Sequence, residues 1–268
     1  VSDREAPRRK TYGRQLGRPL SARQKALLAE ALPPLAIRLP ADGETLRPAA
    51  LFAPGLERDA PLWLEVGFGA GEHLAWQIEE QARRGNAVRF IAGEFFQNGI
   101  VKLLGRLDRA LAQQRLRIYQ GDAGRLLAAL PDRCLDRVFI LFPDPWPKRR
   151  HHKRRFVGDE TLDQLARVMK PGAELRLATD DPGYLSWCLA CLTRHPDFYW
   201  TARRPSDWRQ RPPDWPQTRY ESKALEAGRR PSFLRYRRRE SAPSDGLGPA
   251  SEKPCGQRGR GVNSGPTT

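Results

Sequence analysis

The sequence predicts an α/β protein built on a mostly parallel sheet with helices on both faces. Three observations predict it. Short apolar runs alternate with segments of helical periodicity from Pro61 to Arg194, the pattern of strands whose crossovers lay helices against the sheet. The first run ends in a glycine-rich turn, GFGAG at 67–71. Acids stand at the ends of three successive runs, Glu65, Glu94 and Asp122, and open parallel sheets bind ligands outside those ends.

The elements follow in order. Residues 1–20 are polar and basic and read as a mobile arm. Residues 21–32 carry helical spacing behind Ser21, a cap, and stop at Pro33 and Pro34. A strand is expected over 62–66, a helix over 72–84 ending before Gly85, a strand over 88–93 and a helix over 98–112. A third strand (115–119), a short helix (124–130), a fourth strand (136–142) and a helix (159–169) come next. Pro171 and Gly172 then read as a turn into a fifth strand, 173–179, followed by a helix over 184–194. Residues 198–202 and 233–237 predict antiparallel strands at the sheet edge. The stretch between them is polar and aromatic, and reads as a loop too long for a mere connection. From residue 240 onward the composition turns to Gly, Pro, Ser and charge, which predicts disorder. The organisation is therefore one domain over 21–239 between a basic arm (1–20) and a tail (240–268).

Composition narrows the partners. Lys and Arg number 47 against 31 Asp and Glu, a net charge of +16, which favours phosphate-bearing partners and salt-sensitive binding. No apolar run reaches spanning length and no hydrophobic signal core opens the chain, so a cytoplasmic protein without a membrane partner is expected. The four cysteines read as reduced thiols. Cys188 and Cys191 form a CxxC inside an apolar helical pattern and read as buried side chains rather than a zinc or redox pair. His151 and His152 lack further ligands at metal spacing, so no metal is expected.

The glycine turn lets the backbone approach a ligand at Gly67, Gly69 and Gly71. It is not a dinucleotide fingerprint, because Glu72 stands where GxGxxG needs its last glycine. An acid two residues before the first glycine suits a ligand bearing an ammonium group. Glu94 is suited to both hydroxyls of a ribose, and Asp122 to an adenine amino group. The alternative is that these acids only cap the helices that follow.

The fourth run leads into FPDPWPKRRHHKRRF, residues 142–156, where six Lys/Arg (148, 149, 150, 153, 154, 155) surround one acid, Asp144. A solvated charge run accounts for the cations. It does not account for Asp144 and Trp146 set between Pro143, Pro145 and Pro147. A carboxylate held there beside a basic loop suits a site that grips a polyanion and addresses one base. Trp146 either stacks on that base or packs beneath the loop.

These residues resemble the class I S-adenosylmethionine-dependent methyltransferases. DRVFILFPDPWPKRRHHKRRFV, TDDPGY and WPQTRYESKAL are similar, more narrowly, to the tRNA (guanine-N7-)-methyltransferase family, a likeness running over roughly residues 9–239. The resemblance implies a Rossmann-like, seven-stranded, mostly parallel sheet whose last strand is antiparallel. It implies S-adenosyl-L-methionine as cofactor, tRNA as partner, and 7-methylguanosine in the tRNA variable loop as product. On matching positions it implies that Glu65, Glu94 and Asp122 hold the cofactor beside the glycine turn, and that Asp144 serves both cofactor and catalysis. Lys148, Asp180, Thr218, Arg219, Tyr220 and Glu221 would contact the substrate. The chain departs from the pattern at IAGEFFQNG, where Glu-Val-His is more usual, and at Tyr220, where phenylalanine is common.

Guanine N7 carries a lone pair and no proton, so the implied reaction needs positioning and charge stabilisation rather than a general base. Asp144 and Asp180 are expected to stabilise the developing purine cation and to accept from guanine N1–H and N2–H. A purely structural Asp144, orienting the PDPWP turn, is the alternative. Lys148–Arg155 is expected to hold phosphates, with Arg203, Arg204, Arg209, Arg211, Trp208 and Trp215 extending that surface and TRYE closing as a flap. Arg8, Arg9, Lys10 and Arg14 would order on RNA. The near-complete site argues for no obligatory protein partner, hence a monomer or homodimer.

Overall fold

A computed structural model describes residues 17–41, 43–52 and 59–240. Most of the expected arm, with Arg8, Arg9, Lys10 and Arg14, lies outside the described residues, as do the expected tail from residue 241 and Cys255.

The first helix, α1 (Ala22–Ala31), begins at Ser21. The Ser21 hydroxyl accepts from Gln24 N while the Gln24 side chain accepts from Ser21 N, a capping box that satisfies two otherwise unpaired amides. Pro33 then starts a single 3-10 turn, Pro33–Leu35.

Seven strands form one sheet: β1 (Leu62–Val66), β2 (Arg89–Glu94), β3 (Leu116–Gln120), β4 (Leu135–Leu141), β5 (Met169–Thr179), β6 (Phe198–Trp200) and β7 (Ser232–Arg238). Their order is β3-β2-β1-β4-β5-β7-β6. The first five pair in parallel, and β7 runs antiparallel to both β5 and β6. Between them lie α2 (Glu72–Arg83), α3 (Gln97–Leu104), α4 (Arg109–Arg115), α5 (Ala123–Ala129), α6 (Asp159–Val168) and α7 (Pro182–Arg194).

Two cores lie on opposite faces of the sheet, and the two-residue period of a strand divides side chains between them. Leu62, Leu64 and Val66 join Leu127 of α5, Leu162 and Leu165 of α6 and Leu192 of α7. Trp63 turns the other way, with Leu74 and Ile78 of α2 and Ile100 and Leu103 of α3. Every residue of β1 is buried. Glu65 is the one acid among them, and a buried charge in a central strand needs a partner.

Several expectations are corrected. The helix expected over 98–112 is two, because Asp108 leaves helical geometry and accepts from Leu111 N at 2.8 Å to cap α4. Apolar spacing continues through the break because Leu104, Leu107 and Ala112 are all buried, and periodicity reports burial rather than continuity. β5 starts at Met169, so Pro171 and Gly172 lie within the strand, where the register slips between Leu135 and Arg137 as at a β-bulge. β7 is not an edge strand. It sits between β5 and β6, leaving the three-residue β6 and β3 at the edges. The long loop contains α8 (Ser206–Arg209) and α9 (Arg219–Glu226). Trp215 does not extend a surface: it is 4% exposed and packs edge-on against Phe139, Phe233 and His73.

Cys188 and Cys191 are buried on α7, and burial pushes the Cys188 thiol up to about 12, which leaves it protonated and inert. Among the described residues no helix is long and apolar enough to cross a membrane.

Candidate active site

A cavity of about 440 Å³ opens at the carboxyl ends of β1, β2, β3 and β4, within the range of sites that enclose a small cofactor. Glu65, Gly67, Gly69, Glu94, Asp122, Asp144, Thr218 and Tyr220 line it. Gly71 does not. It adopts φ +72°, and a Cβ there would lie 2.5 Å from Leu103 Cδ1, so this glycine lets α2 pack on α3 rather than admitting a ligand.

The three acids are held in different ways. Glu65 is 4% exposed, and its Oε2 accepts from His73 Nδ1 at 2.7 Å; that partner is a side chain of α2, so Glu65 is not a cap. Glu94 accepts with Oε1 from Phe95 N and Phe96 N, both at 2.8 Å, and with Oε2 from Gly69 N at 2.7 Å. Burial raises its carboxyl above the ordinary value, against the pull of those three amides, with the Asp144 charge adding to the rise. Asp122 does cap: its Oδ1 accepts from Gly124 N at 2.7 Å at the start of α5, while the residue also borders the cavity.

Asp144 is exposed on the loop after β4, and it makes no hydrogen bond or ion pair with the other described residues. Its neighbours are strained. Phe142 and Trp146 adopt φ +49° and +43°, a region that bulky residues occupy only when the surroundings impose it. Arg155 braces the loop between them. This arginine is 6% exposed, donates from Nε to Pro145 O at 2.9 Å, and lies over the rings of Tyr184 and Trp187 at 5.5 and 5.0 Å. The expectation that the whole block faces phosphate is therefore corrected: Lys148, Arg149, Arg150 and Lys153 are exposed, whereas Arg155 is an internal brace. Trp146 is half-buried on the cavity wall, with Arg154 over its ring at 4.9 Å and the His151 ring edge-on at 5.7 Å.

The TRYE segment, expected within a loop, is the start of a helix. Thr218 caps α9, its hydroxyl accepting from Glu221 N at 3.3 Å. Tyr220 is 57% exposed and reaches the glycine turn, where a Cβ on Gly69 would meet its ring at 3.3 Å. Partial burial and the nearby Glu94 and Asp144 charges raise its phenol above the ordinary value. Lys148, Asp180, Arg219 and Glu221 do not line the cavity. Lys148 precedes the 3-10 turn Arg149–Arg154. Asp180 pairs with Arg229 at 2.7 Å. Arg219 donates its backbone N–H to Glu72 Oε2 at 2.5 Å. Glu221 is 5% exposed beside Arg211, at 3.2 Å.

The sequence reasoning missed His73 and Gln77, which stand one helical turn apart on the buried side of α2. A histidine and an amide at i, i+4 immediately behind a glycine turn were the available signal.

Comparison with known proteins bears on what this site belongs to. A family profile described as "Putative methyltransferase" matches residues 59–233. The tRNA (guanine-N(7)-)-methyltransferase of Rhodospirillum rubrum is 46% identical over 248 residues, covering 92% of this chain and 93% of that protein. The proteins of the same name from Paramagnetospirillum magneticum and Roseobacter denitrificans are 46% and 44% identical, over 87% and 88% of this chain and 94% and 99% of theirs. Likeness at this level across nearly the whole length, together with the seven-stranded sheet, makes this chain a member of the tRNA (guanine-N7-)-methyltransferase family.

Proposed function

We propose that the protein transfers a methyl group from S-adenosyl-L-methionine to N7 of a guanine in the tRNA variable loop, forming 7-methylguanosine. One observation carries this reading. The cavity that holds Glu65, Glu94 and Asp122 also has Asp144 and Trp146 of the basic loop and Tyr220 of α9 on its wall, so a cofactor cradle and a polyanion-binding edge share one opening.

The donor set fits that cofactor. Glu65 is a buried carboxylate suited to its ammonium group, Glu94 to the ribose hydroxyls, and Asp122 to the adenine amino group. The bound cofactor would supply an electrophilic methyl carbon on a sulfonium. The guanine N7 lone pair attacks without losing a proton, so the chain's own task is alignment and field. Asp144, exposed at the mouth, would face the positive charge that the purine gains and accept from the guanine edge. Lys148, Arg149, Arg150 and Lys153 would hold tRNA phosphates and fix register without reading sequence. Tyr220, Thr218 and the rest of the TRYE turn would border the base, which must leave its stack to enter. Asp180 would contribute once released from Arg229.

The cofactor acids and the basic loop stand around one opening, and we propose that the protein acts without an obligatory protein partner, as a monomer or homodimer in the cytoplasm. The test is methyl transfer from labelled S-adenosylmethionine to unmodified tRNA, followed by nucleoside analysis. Label in 7-methylguanosine that vanishes when the variable-loop guanine is replaced is the expected result. Label in another nucleoside would overturn the assignment of acceptor.

A further inference from the structure

The polar side chains of α2 join the two halves of the site. Glu65 Oε2 meets His73 Nδ1 at 2.7 Å, His73 Nε2 meets Gln77 Nε2 at 3.2 Å, and Gln77 Nε2 meets the backbone carbonyl of Asp214 at 2.9 Å. His73 and Gln77 are 3% and 2% exposed, so every one of these bonds must be made well. Their directions follow from chemistry. The Asp214 carbonyl only accepts, so the Gln77 group facing it is the amide NH₂; its second N–H then points at His73 Nε2, which must accept. That leaves the proton of a neutral ring on Nδ1, donating to the Glu65 carboxylate. The imidazole is held edge-on to Phe139, with ring centroids 4.6 Å apart, and has Trp215 on another side at 5.9 Å.

The far end of this relay is the segment that delivers α9. Asp214 is itself pinned by Arg176 at 2.7 Å. Four residues on, Thr218 caps α9, and Glu72, at the start of α2, accepts from Arg219 N. One helix thus holds Glu65 of the cofactor cradle and residues 214–219, which lead to Tyr220, the residue that reaches Gly69.

We propose that Glu65–His73–Gln77–Asp214 couples the ammonium end of the cradle to the placement of α9, so that cofactor and tRNA tighten one another's binding. The inference rests on the cofactor reading given above. His73 and Gln77 are positioning residues: neither touches the reacting atoms. A ligand ammonium that fixes the Glu65 carboxylate fixes His73 and Gln77 through bonds whose direction is already set, and Gln77 fixes the backbone that precedes Thr218. Binding on the α9 side acts back through the same bonds, as linkage requires.

The test is calorimetric titration of S-adenosylhomocysteine with and without unmodified tRNA transcript, and of tRNA with and without S-adenosylhomocysteine. In the unaltered protein each should tighten the other by the same factor, about fivefold or more. Gln77→Met keeps the length and removes the donor, and should bring that factor close to one. His73→Asn provides the second arm: its amide keeps the donor toward Glu65 and loses the acceptor for Gln77. It should lose the mutual tightening while retaining more affinity for S-adenosylhomocysteine than His73→Leu. Binding of both ligands by the unaltered protein with no mutual effect overturns the coupling, as does an undiminished factor in both Gln77→Met and His73→Asn. No binding of S-adenosylhomocysteine by the unaltered protein overturns the cradle reading and the coupling with it.

Discussion

Gly69 donates its backbone N–H to Glu94 Oε2 at 2.7 Å, so the glycine turn after β1 is tied to the acid that ends β2. Phe95 N and Phe96 N occupy the other carboxylate oxygen. Glu94→Gln would turn one acceptor into a donor facing donors. Leaving one buried amide unpaired costs about 1–3 kcal/mol. A lower melting temperature and weaker cofactor binding are expected together, and a variant that melts like the parent would remove Glu94 as the anchor of the turn.

The same carboxyl makes two opposite statements about pH. Burial raises its folded value above the ordinary one. A raised carboxyl takes up its proton in the folded state first, so its contribution to stability is complete below the unfolded value and is lost as pH rises through the folded one. The anion is the better acceptor for ribose hydroxyls, so cofactor affinity should instead fall as pH drops through that raised value. Calorimetry carried from neutral pH down through the ordinary carboxylate range, about pH 4, checks this; affinity that stays flat over that whole span in the parent would sink the ribose role.

Asp144→Asn keeps the shape of a residue that is exposed and makes no hydrogen bond or ion pair with the described residues. Folding should be unchanged and kcat should drop by about 100-fold or more, the usual loss when a group facing developing charge is removed. Turnover within a few-fold of the parent would leave Asp144 with only a structural role.

Cations of the basic block should separate into two kinds. Replacing Lys148, Arg149, Arg150 and Lys153 by Ala should weaken tRNA binding and lower its salt slope by about one unit for each phosphate no longer held, with an unaltered melting temperature. Arg155→Ala should destabilise the fold, because the guanidinium braces the strained PDPWP loop against Tyr184 and Trp187. A salt slope unmoved by the fourfold change would mean that this face does not meet RNA.

Gly99 packs on the cofactor turn from outside. A Cβ there would lie 2.2 Å from Gly69 O, a backbone atom that cannot swing aside, and such overpacking costs about 1–3 kcal/mol. Gly99→Ala should weaken cofactor binding more than tRNA binding in separate titrations. Equal loss of both would point to general unfolding instead.

Much of the site was legible because its acids are local signals. Glu65, Glu94 and Asp122 each stand at the carboxyl end of an apolar run, and a strand end is readable from alternation and a glycine or a polar residue. The block around Asp144 was legible because prolines and cations at that density have few other uses. His73 was not. Its meaning depends on Glu65 eight residues away and on Asp214 and Trp215, brought to it from far along the chain. α9 was hidden for a related reason: it is short, polar over much of its surface, and defined by the Thr218 cap and by packing.

The sequence by itself determined the alternation of strands and helices, the strand-end acids and the glycine turn between β1 and α2, because period, caps and turn chemistry act over a few residues. Only the tertiary structure decided that β7 lies between β5 and β6, that Trp215 is core and Arg155 a brace, and that α9 closes on the glycine turn. Those outcomes rest on bonds such as Glu72 to Arg219, which span 147 residues. No local pattern encodes such a pairing; it exists only once burial on both faces of one sheet has brought the partners together.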